Sequence, residues 1–442
     1  MSNDRPEDPD AELDRTSKEA LAAAVRADDA AQVALVLEQY PSLTSKLDDP
    51  MPDYAFGATP LLGAVYKRNR QMIDVLLRAG ANINARSRWW AGGFGVLDAD
   101  EELAPFLIDR GAVVDAHAAA RLGMLDRLKA LVSSNPDVVH ARGGDGQTPL
   151  HFASSVEIAE YLLGHGAGID ARDVDHESTP AQYMVRDRQA IARYLVGRGC
   201  QTDILMAAAL GDVERVRKHL ETDPACIRTT VSEEYFPKQN PRSGGTIYNW
   251  TLGMDKTAHV IAREFDRADV FDLLMAHTPD PLQLSVACEL GDEKLIDALQ
   301  SAHPDLVQRV DDVDRKKIAT AARNNSTKAV RLMLAAGWPV DVRGQHGGTP
   351  LHWAAWHGNL EMAQELLRRG APLDATDQDY NGTPVNWAVY GSVHGWHCKT
   401  GDYAGTIEAL LRAGAPAPKV NETTDASDAV REVLRTYASD YP

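Results

Sequence analysis

The stretch 348–358, GTPLHWAAWHG, runs on into NLEMAQELLRRGAPLDAT and recurs, whole or in pieces, along most of the chain. GATPLLGAVYKRN occupies 57–69, GQTPLHFA 146–153, STPAQYM 178–184 and GTPVNWAVYG 382–391. Thr349 and Thr383 are 34 residues apart, and Thr148 and Thr179 are 31 apart. A period of roughly 33 residues means short supersecondary units that cannot bury their apolar faces alone and must stack. Each piece has a physical task. Thr can cap the free N–H groups at a helix start, and Pro at the first helical position sacrifices no hydrogen bond. The Ala354–Ala355 pair lets neighbouring units approach closely. Leu366 and Leu367 lie on the apolar stripe of a second helix, and Gly370 supplies its left-handed stop.

This pattern resembles the ankyrin repeat, over roughly residues 15 to 416. The resemblance implies an all-α solenoid of about a dozen helix-turn-helix units. It also implies a family known chiefly for recognising proteins through its concave groove and loop tips. The ending GTPVNWAVYGSVHGWHCKTGDYAGTIEALLRAGA is similar to a C-terminal unit of some bacterial ankyrin proteins, to which no established activity attaches.

A degenerate unit without Thr-Pro keeps the inner-helix signature: AARLG at 119–123, AAALG at 207–211 and ACELG at 287–291, each with a Pro 13 residues past the Gly. Asp28 takes the Gly position in the segment 24–43. Units are expected near 15–48, 57–86, 95–115 (truncated), 116–142, 146–172 (with a short inner helix), 177–203, 204–230, 255–281, 282–311, 314–342, 347–375 and 382–416. The domain reading is a disordered acidic N-terminus over 1–14, N-terminal repeats over 15–230, an insertion loop at 231–253 and C-terminal repeats over 254–416. A capping helix and tail over 417–442 completes it. Residues 87–99, rich in Gly and Trp, and 392–404, SVHGWHCKTGDYA, are further insertions. In a solenoid, insertions map to loops on one face, often the binding face.

Composition narrows the function. The formal net charge is −18, which speaks against binding a phosphate backbone. Cys200, Cys226, Cys288 and Cys398 are scattered without a CxxC pair, so neither a disulfide framework nor a cysteine-rich zinc site is expected. The polar, acidic start does not read as a signal peptide, and no apolar run is long enough to span a membrane. The expectation is a monomeric cytoplasmic protein with no cofactor, no bound metal, and neither nucleic acid nor membrane as partner.

Repeat register places the residues flanking the Ala pair toward the groove. These are Trp353, Trp356 and His357 in one repeat and Trp387 and Tyr390 in the next, forming two rows of rings beside the small Ala319 and Ala322. Tyr66, Arg121, Arg186, Arg263 and Glu289 align with Trp356. The arginines could grip a carboxylate or phosphate, or pair with acidic neighbours. His151, His259 and His352 occupy the TPLH position and read as structural. His394 and His397, with Asp402, sit in the HGWHCKTGDY loop. They could supply an acid–base pair, hold a metal, or merely pack the loop. The first functional reading is a recognition module binding a partner protein or peptide through Trp353, Trp356, His357, Trp387, Tyr390, Trp396, Tyr403 and Arg263, with Tyr248 and Trp250 from the 231–253 insertion. The alternative is an enzyme or small-molecule binder, a hydrolase or lyase if an enzyme, acting on a polar, sugar- or glycoside-like ring with His394, His397 and Asp402 as catalytic groups.

Overall fold

The computed structural model describes residues 9–418 and 424–440, with side chains over 12–418 and 424–437. The described chain is helical throughout, apart from an isolated antiparallel bridge between Thr230 and Thr257. Its helices pair into twelve repeats. The first is Pro9–Arg26 with Ala30–Gln39, followed by Pro60–Tyr66 with Arg70–Arg78 and Val96–Asp98 with Ala104–Ile108. Next come Ala116–Arg121 with Leu125–Ser134, Pro149–Phe152 with Val156–Gly164, Pro180–Met184 with Gln189–Gly197, and Ile204–Leu210 with Val213–Thr222. The last five are Ala258–Glu264 with Ala268–Ala276, Asp280–Leu290 with Glu293–Ala302, Lys317–Arg323 with Thr327–Ala336, Pro350–His357 with Leu360–Arg368, and Pro384–His394 with Tyr403–Arg412. Helix Asp428–Asp440 follows them. The third and fifth inner helices shrink to a single tight turn, matching the truncations expected there. The first helix already begins at Pro9, inside the stretch read as a disordered tail. Residues 1–8 of that expectation lie outside the described residues.

Two compact units divide the chain, one ending at Ile261 and the other starting at Ala262. In the C-terminal unit the core runs through the small and branched residues that the period selects. Leu351, Ala354, Ala355, Met362, Ala363, Leu366, Val385, Ala388, Ile407 and Leu410 are all buried, and Leu434 of the final helix joins them. In the N-terminal unit, Asp28 turns the chain at φ 58°, the left-handed conformation that Gly provides in other repeats.

The Thr-Pro-x-His start is a two-way clamp. His352 Nδ1 accepts the Thr349 backbone N–H at 3.1 Å, which leaves the proton on Nε2 to donate to the Gly382 carbonyl of the following repeat at 3.1 Å. His151 does the same in the N-terminal unit, accepting from Thr148 and donating to Ser178 O at 3.2 Å. In two of the Thr-Pro repeats that lack this histidine, Gln182 and Asn386 accept the equivalent Thr N–H through their side-chain oxygens. His151 and His352 are therefore structural.

Burial keeps these imidazoles neutral, lowering His352 and pushing His151 down to about 4. An unfolded histidine titrates near ~6.5, so on acidification the unfolded chain takes up protons first. The contribution of His151 is complete above that pH and is lost as pH falls toward 4. Between pH 7 and pH 5 this loss is on the order of 1–2 kcal/mol of unfolding free energy. His151→Gln, which copies the Gln182 arrangement, removes that share. Urea titrations of both proteins at pH 7 and pH 5 should show a shallower pH slope in the variant.

Candidate functional site

The C-terminal unit gathers the aromatic residues singled out by repeat register. Trp353 meets Trp387 edge-on at 5.0 Å, and Trp356 stacks on Tyr390 at 6.3 Å, the two rows expected from the 34-residue spacing. The 392–404 insertion adds Trp396, which stacks on Trp353 at 6.0 Å and meets Trp356 edge-on at 6.1 Å. Trp396 remains 59% exposed and Tyr390 is half exposed, whereas Trp356 and Trp387 are half-buried. Trp353 departs from the groove-facing expectation. It is only 3% exposed, because Trp387 and Trp396 enclose it and make it core. Tyr403, also expected at the surface, is buried, with its hydroxyl donating to the Trp356 carbonyl at 2.8 Å and its pKa raised to about 12 by burial.

Glycines make that socket possible. A side chain at Gly391 would come within 2.9 Å of the Trp356 carbonyl, and one at Gly395 within 2.8 Å of the same oxygen. Gly401 packs against the His357 carbonyl and the Tyr403 ring. The HGWHCKTGDY segment is thus a packed knot around Tyr403.

The three residues assigned to acid–base chemistry have other partners. Asp402 is the N-cap of helix Tyr403–Arg412, where its Oδ1 accepts the Gly405 N–H at 2.8 Å. The carboxylate beside His394 is Asp425, 2.5 Å from Nε2, while the His394 ring stacks on Tyr390 at 4.3 Å. His397 packs against His357 with ring centroids 5.1 Å apart. Among the described residues, His394, His397 and Asp402 do not converge into a three-ligand group. His357 is buried and neutral, its pKa lowered to about 4 mainly by burial. Its Nε2–H donates to the Arg323 carbonyl at 2.7 Å, which leaves Nδ1 as a buried acceptor without a partner. The indole N–H groups of Trp353 and Trp356 are likewise buried and unpartnered.

Sequence reading missed Arg323, Asp377 and Asp425. Arg323 sits one repeat before His357, 34 residues away, so the same register could have found it. Its guanidinium lies 5.7 Å from the Trp353 ring and 5.5 Å from that of Trp396, beside buried Ala319 and Ala322. Asp377 accepts Trp387 Nε1–H at 2.8 Å together with the backbone N–H groups of Asp379, Tyr380 and Gly382. Burial opposes its charge, but these four donors hold its pKa below the usual carboxylate range. Asp173 and Tyr183 form the matching pair in the N-terminal unit, with the hydroxyl 3.0 Å from the carboxylate.

Tyr248 and Trp250, grouped with this cluster at the sequence level, are engaged within the N-terminal unit. Tyr248 is fully buried and donates to Asp203 at 2.8 Å, while Trp250 lies 4.7 Å from the His176 ring. Two of the three aligned arginines serve the backbone. Arg121 holds the carbonyls of Asp98 and Ala99, Arg186 holds those of Thr251 and Leu252, and exposed Arg263 lies over the Phe271 ring at 4.1 Å. Arg121 and Tyr66 also line an open cleft of about 450 Å³ with Arg68, Asp100, Glu101 and Glu102.

Comparison with known proteins decides the family. Models described as "Ankyrin repeats (3 copies)" match residues 116–206 and 284–379, and one described as "Ankyrin repeat" matches 56–88. The chain belongs to the ankyrin-repeat family. This ankyrin-repeat protein is 27% identical to palmitoyltransferase Hip14 of Drosophila melanogaster over 110 residues, 25% of this chain and 16% of that protein. It is 32% identical to the probable E3 ubiquitin-protein ligase XBOS31 of Oryza sativa subsp. japonica over 139 residues, 31% of this chain and 29% of that protein. The chain thus spans less than a third of the length of these curated relatives. The crystal structure of the human ASB11 ankyrin repeat domain aligns with 69% of this chain and 99% of its own at 19% identity and a TM-score of 0.27.

Trp387 and Trp396 separate support from display. Trp387→Phe keeps the ring but removes one donor to the Asp377 carboxylate, and should cost about 1–2 kcal/mol in urea unfolding. Trp396→Phe should change stability by less than about 0.5 kcal/mol.

Proposed function

We propose that this ankyrin-repeat protein is a recognition module whose partner protein or peptide docks on the aromatic cluster of the C-terminal unit, around Trp396. The observation that carries the reading is an exposed indole held in a fixed pose. Trp396 is 59% exposed, yet Trp353, Trp356, His357 and Arg323 all pack against it. An aromatic anchor that is already ordered pays little entropy on binding, and such anchors dominate interface energetics. Exposed Tyr390 and Val393 extend the same apolar surface. Protein interaction is also the general role of ankyrin repeats. Palmitoyl transfer and ubiquitin ligation, named for two relatives, belong to proteins of which the matched region is a minor part, and they do not enter this reading. We place the protein in the cytoplasm as a monomer. All four cysteines are free thiols, two of them buried, as suits a reducing compartment. No described helix is long and apolar enough to cross a membrane.

A second reading has its own support. The N–H groups of Trp353 and Trp356 and Nδ1 of His357 are two donors and one acceptor, buried in one cluster without partners, and such groups are costly unless something satisfies them. A hydroxyl-bearing ring stacked on Trp396 could supply the complementary groups. Neutral His357 would then act as a hydrogen-bond acceptor.

Trp396→Ala tests both readings. Pull-downs with wild type and variant, matched for unfolding midpoint, should retain a defined protein on the wild type alone. That protein, purified, should bind the variant at least ~10-fold more weakly, the loss of an anchor. Equal binding to both would contradict the docking surface. A raised melting temperature with a panel of mono- and disaccharides, lost in the variant, would instead select the small-ligand reading.

A further inference from the structure

The N-terminal unit holds a second cluster that none of these readings uses. The 231–253 insertion folds back onto the turn at 173–178. Its Gln239 and Asn240 N–H groups donate to the Glu177 carboxylate at 2.7 Å each, and Gly244 N donates to the Asp175 carbonyl at 3.0 Å. Gly245 O lies 3.0 Å from His176 Nδ1. That carbonyl can only accept, so Nδ1 carries the proton and a neutral His176 turns the lone pair of Nε2 away from it.

Nε2 faces two carboxylates. Nε2 is 3.7 Å from Asp175 Oδ2 and 4.0 Å from Asp145 Oδ2, too far for hydrogen bonds, and one ligand atom from each residue lies within 4.8 Å of the others. Asp175 is only 7% exposed. Its Oδ1 accepts the Gly244 N–H at 3.2 Å, but its Oδ2 accepts no hydrogen bond from the described residues. Asp145 Oδ1 is buried and makes no well-formed hydrogen bond, although the Trp89 indole, whose own N–H is also unsatisfied, lies beside this carboxylate. Among the described residues, no Lys or Arg ion pair reaches either carboxylate. The Asp145 carbonyl accepts from both Val174 and Asp175 N–H, which fixes the two turns against each other. Gly244 permits the close approach, since a side chain there would come within 3.1 Å of His176. The Trp250 ring covers the imidazole.

We propose that Asp145, Asp175 and His176 bind a divalent transition-metal ion, zinc or manganese(II), which pins the 231–253 insertion to the repeat array. One imidazole nitrogen with two carboxylate oxygens is a donor set such ions accept. The Gly245 carbonyl supplies the outer hydrogen bond that orients a ligating histidine. The separations of 3.7 and 4.0 Å are a few tenths of an ångström wider than the roughly 3.4 Å edge of a tetrahedral site with bonds near ~2.1 Å. The site is distinct from the C-terminal cluster and does not depend on the function proposed for it.

The test uses the full chain, stripped with EDTA and dialysed into metal-free buffer. Zinc, manganese(II), calcium and magnesium are each titrated by calorimetry and by thermal unfolding, and bound metal is counted by mass spectrometry. Asp145→Asn and Asp175→Asn are measured beside the wild type, with circular dichroism to establish that each is folded. The proposal predicts about one equivalent of zinc or manganese(II), a melting temperature raised by roughly 5 °C at saturation, and affinity at least ~10-fold weaker in Asp145→Asn. No binding by the wild type would overturn it. Binding that both Asn variants leave unchanged would overturn it equally, since the metal would then sit elsewhere.

Discussion

Everything in this molecule depends on one constraint: a single helix pair cannot bury its own apolar face. The clamp at the Thr-Pro-x-His start turns that need into a fixed geometry. One imidazole accepts from its own repeat and donates to the next, as His352 does between Thr349 and Gly382. The proton position follows from the bonding, and burial holds the ring neutral. In two Thr-Pro repeats without the histidine, Gln182 and Asn386 preserve the accepting half of the clamp. Stacking is therefore specified locally, one repeat at a time, which is why degenerate and truncated repeats are tolerated among regular ones.

With the scaffold carried by Ala, Leu and the clamp, the insertions are free to depart from the repeat. They do not hang as loose loops. The 392–404 segment winds around buried Tyr403, and its glycines admit the Trp356 and His357 carbonyls. The 231–253 segment is held by Glu177, Asp175 and Ser178 side chains and by the Arg186 guanidinium. Each insertion presents one indole outward, Trp396 in one case and Trp250 in the other, and each sets it against a histidine. The two candidate sites are products of the same device: a solenoid face built up by an inserted knot.

Periodicity made the fold legible. It specified the repeats, the left-handed turn at Asp28 and the pairing of Trp353 with Trp387 and of Trp356 with Tyr390. It could not say which rings remain at the surface, because that depends on the 392–404 segment covering Trp353, a contact outside the repeat rule. Asp402 caps helix Tyr403–Arg412, an ordinary use for an Asp directly before a helix start that the loop motif drew attention away from. The role of Arg323 was within reach, since it stands one period before His357. Asp425 beside His394, and the meeting of Asp145 with Asp175 and His176, join segments that no spacing rule connects.

The central claim is that both insertions are ordered, packed parts of the fold. Amide hydrogen exchange measured by mass spectrometry on the full chain tests it directly. Peptides covering 242–251 and 395–402 contain the bonded amides of Gly244, Gly245, Ile247, Gly395, Cys398 and Gly401. These peptides should exchange at least ~100-fold more slowly than an unstructured chain, as hydrogen-bonded backbone does. Exchange at the unstructured rate in both would contradict it, because neither the aromatic cluster nor the Asp–Asp–His group could then hold its geometry.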